Sequence, residues 1–313
     1  MEVINTPNVI GQTGPAAEEL TPELTRKRRG QLRIIFDRFI RNRVAVAGLV
    51  VLFIIVMMAV FAPVLTHQTK TFDPANDPTP NQFLPVSLQH PLGTDQLGRD
   101  VFARMLFGAQ VSLLVGAASM AVALFIGVTL GAVAGFFGGW VDNLLMRLVD
   151  SMLSVPYLLL LFVLSLTFSN GSVLAIVLLI AVLAWPGPAR LVRGEVLALK
   201  EREFLLASRT LGAGNFRLMF RHILPNAAGP IIVNATLLVG ANIITESVLS
   251  FFGFGIAPPQ SSWGSLLDSA RDFYFTDPLL LYIPGIAILI TVLCFNLMGD
   301  GLRDALDPYM TER

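Results

Sequence analysis

The sequence predicts an all-α integral membrane protein with six transmembrane helices. Three observations carry that prediction. Hydrophobic residues make up 54% of the 313 residues and charged residues only 14%, against about a quarter charged in an ordinary soluble domain. The apolar residues collect in charge-free runs, and a bilayer crossing needs roughly 20 residues. Lys and Arg gather in alternate polar segments, the asymmetry that orients a membrane chain.

In chain order, residues 1–25 mix Pro, Gly, Thr and acidic residues without periodicity and read as disordered. The first apolar run starts near Val44 and is too long for a signal-peptide core, so no cleavable leader is expected. Eight Lys/Arg lie between Arg26 and Arg43. Leu32, Ile35, Phe36, Phe39 and Ile40 recur there at helical spacing. An apolar stripe beside Arg33, Arg38, Arg41 and Arg43 suits a helix lying on an anionic cytoplasmic surface. Residues 1–43 are therefore read as a cytoplasmic arm and 44–66 as the first membrane helix.

Residues 67–104 form a polar loop with three basic and four acidic residues. From Met105 to Phe137 the chain is uncharged, and Gly127, Gly131 and Gly135 share one helical face, which lets another helix approach closely. Packing inside this subunit is the expected use. Gly138-Gly139-Trp140 reads as a turn with an interfacial aromatic. Residues 144–168 and 172–189 form a hairpin broken at Ser169-Asn170-Gly171. Pro156 is expected to kink its first arm, and Arg147 and Asp150 to neutralise each other at i,i+3. Residues 190–222 hold seven basic and three acidic residues, whereas 252–278 hold only Arg271 as a base. Residues 226–251 and Pro278–Gly299 supply the last two helices. The core is thus read as 105–300, with a tail at 301–313. The basic segments stay in the cytoplasm, which places both termini there and turns 67–104 and 252–278 outward.

One stretch interrupts the apolar second half, residues 203–225. Phe204, Ala207/Ser208 and Leu211 recur on one helical face. Gly212-Ala213-Gly214 stops that helix, Asn215 is expected to cap a second, and the second carries Phe216, Met219, Phe220 and Ile223. Pro225 marks the switch into the next span. Both stripes are too short to cross a bilayer, so they must cover something.

The motifs of catalysis are missing. There is no G-x-x-x-x-G-K-[ST], no G-x-S-x-G and no H-E-x-x-H. His67, His90 and His222 are far apart without metal-ligand spacing, and Cys294 reads as a small buried hydrophobe. No catalytic residue, no metal site and no cofactor site is assigned to the chain. Zero net formal charge gives no bulk attraction to nucleic acid.

Two stretches carry a family resemblance. Leu206-Ala207-Ser208-Arg209-Thr210-Leu211-Gly212-Ala213, followed by Ile223-Leu224-Pro225, resembles the cytoplasmic "EAA" signature of bacterial ATP-binding-cassette importer permeases. Leu206 stands where the glutamate is usual, and Ser208 replaces the second alanine. His90-Pro91-Leu92-Gly93-Thr94-Asp95-Gln96-Leu97-Gly98-Arg99-Asp100-Val101 is similar to the H-x-L-G-T-D-x-x-G-R-D segment of the peptide/nickel permease subfamily. Glu246-Ser247 through Leu249-Ser250-Phe251, Pro258-Pro259, Ser262-Trp263-Gly264 and Asn296 through Pro308 fit it as well. The N-terminal arm and the closing Asp307-Pro308 resemble the oligopeptide/dipeptide "C" component.

The resemblance implies the type I importer permease fold and a multi-pass position in the bacterial inner membrane. It implies a heterodimer with a homologous permease, two ATPase subunits beneath, and an extracytoplasmic solute-binding protein, with ATP and Mg belonging to the ATPases. Residues 203–225 would then be the coupling helix. Phe204, Leu205, Leu206, Leu211, Phe216 and Met219 would supply its apolar contact, Arg202, Arg209 and Arg217 its rim, and Gly212 a bend and a close backbone approach. Ala207, Ser208, Ala213, Gly214, Ile223, Leu224 and Pro225 complete the segment. The solute is expected to be an oligopeptide or dipeptide, with a nickel chelate or other small solute as the alternative.

Three further expectations concern charges. Asp95, Arg99 and Asp100 either dock the binding protein or tie the outward loop to the next helix, with Asp100 as cap and Arg99 as its ion-pair partner. Glu246 either faces the solute path or pairs with a base. Asn296, Asp300 and Arg303 read as structural. An ion-coupled carrier or channel would need inverted broken repeats or a pore-lining charge pattern, and a membrane enzyme would need clustered catalytic groups; the sequence shows neither clearly.

Overall fold

A computed structural model describes residues 31–66 and 82–306. The disorder expected for residues 1–25, the tail after 306, His67 and the closing Asp307-Pro308 lie outside the described residues. Among those described, the chain is helical, with a lone bridge between Thr94 and Asp100. The helices are α1 (Gln31–Arg41), α2 (Arg43–Val60), α3 (Ala62–Leu65), α4 (Val101–Phe137), α5 (Gly139–Ser154), α6 (Tyr157–Phe168), α7 (Val173–Ala184), α8 (Pro186–Lys200), α9 (Glu203–Thr210), α10 (Asn215–Arg217), α11 (Leu224–Phe251), α12 (Trp263–Arg271) and α13 (Leu279–Leu306). A π-helical stretch, Leu218–Ile223, joins α10 to α11.

Four helices are long and apolar enough to cross a membrane unaided: α2, α4, the run Asn215–Phe251, and α13. Two bent pairs, α5 with α6 and α7 with α8, bring the number to six. The expected kink at Pro156 is a near right angle, 87° between α5 and α6. Proline there cannot extend α5, because it has no amide hydrogen and its ring crowds the preceding turn. Pro156 instead sits at the N-cap of α6. A second bend of 42° falls between α7 and α8, where Trp185 leads into Pro186. The last span also outruns its expected end: α13 continues to Leu306, so residues 301–306 belong to the helix rather than to a tail.

The glycine stripe of α4 seats α8, the most extensive helix pairing in the chain. A Cβ on Gly127 would stand 2.9 Å from the Trp185 carbonyl oxygen, and one on Gly135 would stand 2.9 Å from that of Arg193. At Gly131 the carbonyl of Ala189 is closer still. Backbone cannot yield as a side chain can, so the three glycines set the helix separation. The expected packing within one subunit is what they do.

Polar pairs cross the same region. Asp150 accepts from Arg190 at 2.6 Å, and Asp142 from Arg193 with its second oxygen at 2.6 Å. The expected Arg147–Asp150 pair does not form; Asp150 reaches across to α8 instead. At the N-terminus, α1 lays Ile35 and Phe39 against Met298, Leu302 and Ala305 near the end of α13. Phe36 and Ile40 stay exposed. Cys294 is buried, as its apolar run suggests.

Candidate functional site

The segment 203–225 folds as a bent projection with one face sunk into the bundle. Leu205, Leu218, Met219 and Ile223 are buried with Val192 and Val196 of α8 and Ala132 of α4. The opposite side is bare: Leu211 is 88% exposed, Phe216 75%, and Phe204, Leu206 and Phe220 about half. Phe216 and Phe220 stack on each other with ring centroids 4.3 Å apart. The expected apolar contact set is therefore corrected. Leu205 and Met219 anchor the segment and offer nothing outward, while Phe220 joins the exposed group. Spacing alone placed Met219 and Phe220 on a single face, because a π turn changes the angular register that a 3.6-residue period assumes.

Gly212 has φ +82°, the left-handed geometry that ends α9. Its amide donates to the Arg209 carbonyl, and that of Ala213 to Ser208, the two bonds of a Schellman motif. Apart from its immediate neighbours, no atom of the described residues lies within 4 Å of where its Cβ would be. Glycine is needed here for its backbone angle, and the expected close approach has no counterpart within this chain. Asn215 is the first residue of α10 rather than its cap; Gly214 holds the cap position with no side-chain bond. Pro225 does not break the chain. The helix widens into the π stretch just before it, which accommodates the ring and its missing donor.

Beside this projection Lys200 donates to the Phe136 carbonyl at 2.7 Å and lies over the Phe136 ring. Lys200, Arg209, Phe136, Phe137 and Leu206 line a hollow of about 170 Å³. No local pattern marks it, because its walls come from α4, α8, α9, α10 and the π stretch.

The loop between α3 and α4 is organised differently. Asp95 is 2% exposed and accepts from the amides of Leu97 and Arg99, both at 2.9 Å. It also accepts from Arg99 Nε at 2.7 Å and Arg104 Nη1 at 2.6 Å. Asp100 caps α4 as expected, accepting from the Ala103 amide at 2.9 Å, and lies 3.0 Å from His90 Nδ1. The expected Arg99–Asp100 pair is replaced by Arg99–Asp95.

Glu246 is fully buried. Ser112 donates to one carboxyl oxygen at 3.0 Å and Ser250 to the other at 2.7 Å. Ser112 in turn accepts from the Trp263 amide at 3.1 Å, and the Trp263 indole donates to the Met105 carbonyl at 3.1 Å. Glu246 thus ties α4, α11 and α12 together through hydroxyls, and among the described residues of this chain no base pairs with it.

Comparison with known proteins follows from this geometry. The family described as binding-protein-dependent transport system inner membrane component matches residues 127–312. The N-terminal transmembrane domain of oligopeptide transport permease C matches residues 30–91. The oligopeptide transport system permease protein OppC of Bacillus subtilis is 41% identical over 271 residues, 87% of each chain. The dipeptide transport system permease protein DppC of Alkalihalophilus pseudofirmus is 40% identical, covering 89% of this chain and 90% of its own. The glutathione transport system permease protein GsiD of Pectobacterium atrosepticum is 39% identical, covering 88% and 90%. Among solved structures, the MetNI methionine ABC transporter in an inward facing conformation superposes with a TM-score of 0.51 at 17% identity. The match covers 64% of this chain and 94% of that one, and carries the fold alone.

Proposed function

The chain belongs to the family of binding-protein-dependent transport system inner membrane components, a multi-pass inner-membrane protein with the type I permease fold, and from that premise we propose that it is one membrane half of an ATP-driven peptide importer. The solutes are oligopeptides or dipeptides, the classes named for relatives that align along almost the whole chain. A homologous permease completes the pathway, two ATPases with ATP and Mg bind at the cytoplasmic face, and an extracytoplasmic binding protein delivers the peptide. Both termini lie in the cytoplasm, as the basic segments demand.

The observation that carries this reading is the projection 203–225. Its inner side is sunk among α4 and α8, and its outer side holds five bare apolar side chains. An anchored apolar patch of this kind is a contact surface awaiting a protein. One ATPase seated on Phe204, Leu206, Leu211, Phe216 and Phe220 would move α8 and α11 as rigid bodies when the ATPase pair closes. Asp95, Arg99 and Asp100 serve the binding protein indirectly: their charges are spent inside the outward loop and fix its shape.

Gly212→Trp tests the coupling role. A side chain at φ +82° strains the bend by about 1–2 kcal/mol, and an indole would stand in the interface. Membrane insertion is expected to survive, ATP hydrolysis to continue, and peptide uptake by the reconstituted complex to fall at least tenfold. Unchanged uptake would overturn the assignment.

A further inference from the structure

Resting on the coupling role just proposed, we infer that the surface received by residues 203–225 is an apolar groove with an acidic rim, and that one Asp or Glu of the ATPase enters the hollow between Lys200 and Arg209. Three observations point to it. Between residues 200 and 222 there are five Lys/Arg, at positions 200, 202, 209, 217 and 221, against Glu201 and Glu203. Among the described residues none of the four arginines forms an ion pair, a condition they share with Arg41, Arg43, Arg147 and Arg303, whereas Arg99, Arg104, Arg190, Arg193 and Arg271 are paired. A set of uncompensated cations around apolar side chains asks for the opposite charge on whatever covers it.

The hollow narrows the request to a carboxylate. Its volume of about 170 Å³ is several times the roughly 30 Å³ share of one water and admits a side chain. Lys200 is held in place by one hydrogen bond to Phe136, which leaves two of its three ammonium hydrogens free. Arg209 makes no hydrogen bond among the described residues through its five donors. Phe136, Phe137, Leu206 and Leu218 line it beside the amide of Asn215, so a carboxylate entering here would exchange part of its water for charge-assisted hydrogen bonds to two cations. Leu206, where a glutamate is usual in the resembling signature, keeps the chain's own surface free of a competing acid.

The occupant we commit to is the ATPase of the proposed complex, because Leu211, Phe216 and Phe220 are bare on the same projection as the unpaired arginines, a pattern that suits an apolar surface rimmed by acids. The experiment uses the full complex with its companion permease and ATPases. Arg209→Glu is expected to lower ATPase retention and peptide uptake about tenfold or more, as for a desolvated charge pair, and Arg209→Lys to keep both. Arg209→Lys also supplies an amine. Zero-length carbodiimide coupling should link it, and Lys200, to an acidic residue of the ATPase identified by mass spectrometry. Reversing that residue to Lys should rescue Arg209→Glu. Full retention in Arg209→Glu, with Gly212→Trp still uncoupled, would overturn this inference and leave the coupling role standing. A defect seen in vesicles containing phosphatidylglycerol and absent in pure phosphatidylcholine would assign the hollow to a lipid headgroup and overturn it as well.

Discussion

Two regions of this protein interrupt its apolar spans with polar residues, and they treat those residues in opposite ways. At one end of the bundle, between α3 and α4 and around α12, most of the buried charged and hydroxyl groups are answered by another. Asp95 takes four hydrogen bonds and Glu246 is met by serines from α4 and α11. At the other end, residues 202–225 hold Arg202, Arg209, Arg217, Arg221 and five apolar side chains unanswered among the described residues. Buried polar groups must be paired because an unmade hydrogen bond away from water is expensive. An exposed group need not be, so leaving many together is informative. The paired region is a lock, and the unpaired one is the surface proposed to meet the ATPase.

Substitutions can break or sharpen that contrast. The largest effect on stability is expected at Asp95→Ala, which strands Arg99 and Arg104 with one buried partner removed and costs about 3–5 kcal/mol. Thermal unfolding in detergent should show a clear drop; an unshifted midpoint would mean that the outward loop is not held by this carboxylate. Glu246→Gln is milder. The amide keeps one acceptor oxygen but offers a donor where Ser112 or Ser250 donates, a loss of about 1–2 kcal/mol. Uptake should remain within about twofold of the wild type once the lower stability is allowed for. Uptake abolished in a well-folded Glu246→Gln protein would move this residue from the lock to the solute path. The smallest stability change is expected at Phe216→Ala, within about 0.5 kcal/mol because the ring is three-quarters exposed. Its cost should appear instead as weaker ATPase retention, measured by co-purification. A Phe216→Ala protein that unfolds early and binds normally would invert the comparison.

How much of this was legible depended on the range of the interaction. The glycine stripe, the Asp100 cap and the left-handed Gly212 are local: each is decided by residues within a turn or two, and the spacing displays them. The membrane helices were visible through composition. Partner choice across the fold was not. Asp150 had Arg147 at i,i+3 and took Arg190 forty positions away, because the α4 glycines draw α8 close and bring α5 alongside it. Arg99 passed over its neighbour Asp100 for Asp95, since Asp100 is occupied by its helix end and His90. The inward side of the projection was misjudged at Leu205 and Met219 because a short stripe has no inherent outside until its neighbours are placed. The hollow beside Lys200 could not be read at all, since Phe136 and Arg209 meet only in three dimensions.

The right angle after Ser154 has its own consequence for how the protein meets lipid. Val149 packs beside Ala123, and Leu161 beside Val115, so the corner stands opposite the middle of α4. Leu153, Ser154, Val155 and Pro156 are exposed there in the isolated chain. Hydrocarbon does not tolerate main chain that is neither helical nor sheltered, at a cost of several kcal/mol for each bare group. A corner of this kind must face protein or a water-filled space, so the bend at Pro156 decides which side of the molecule can be turned to lipid.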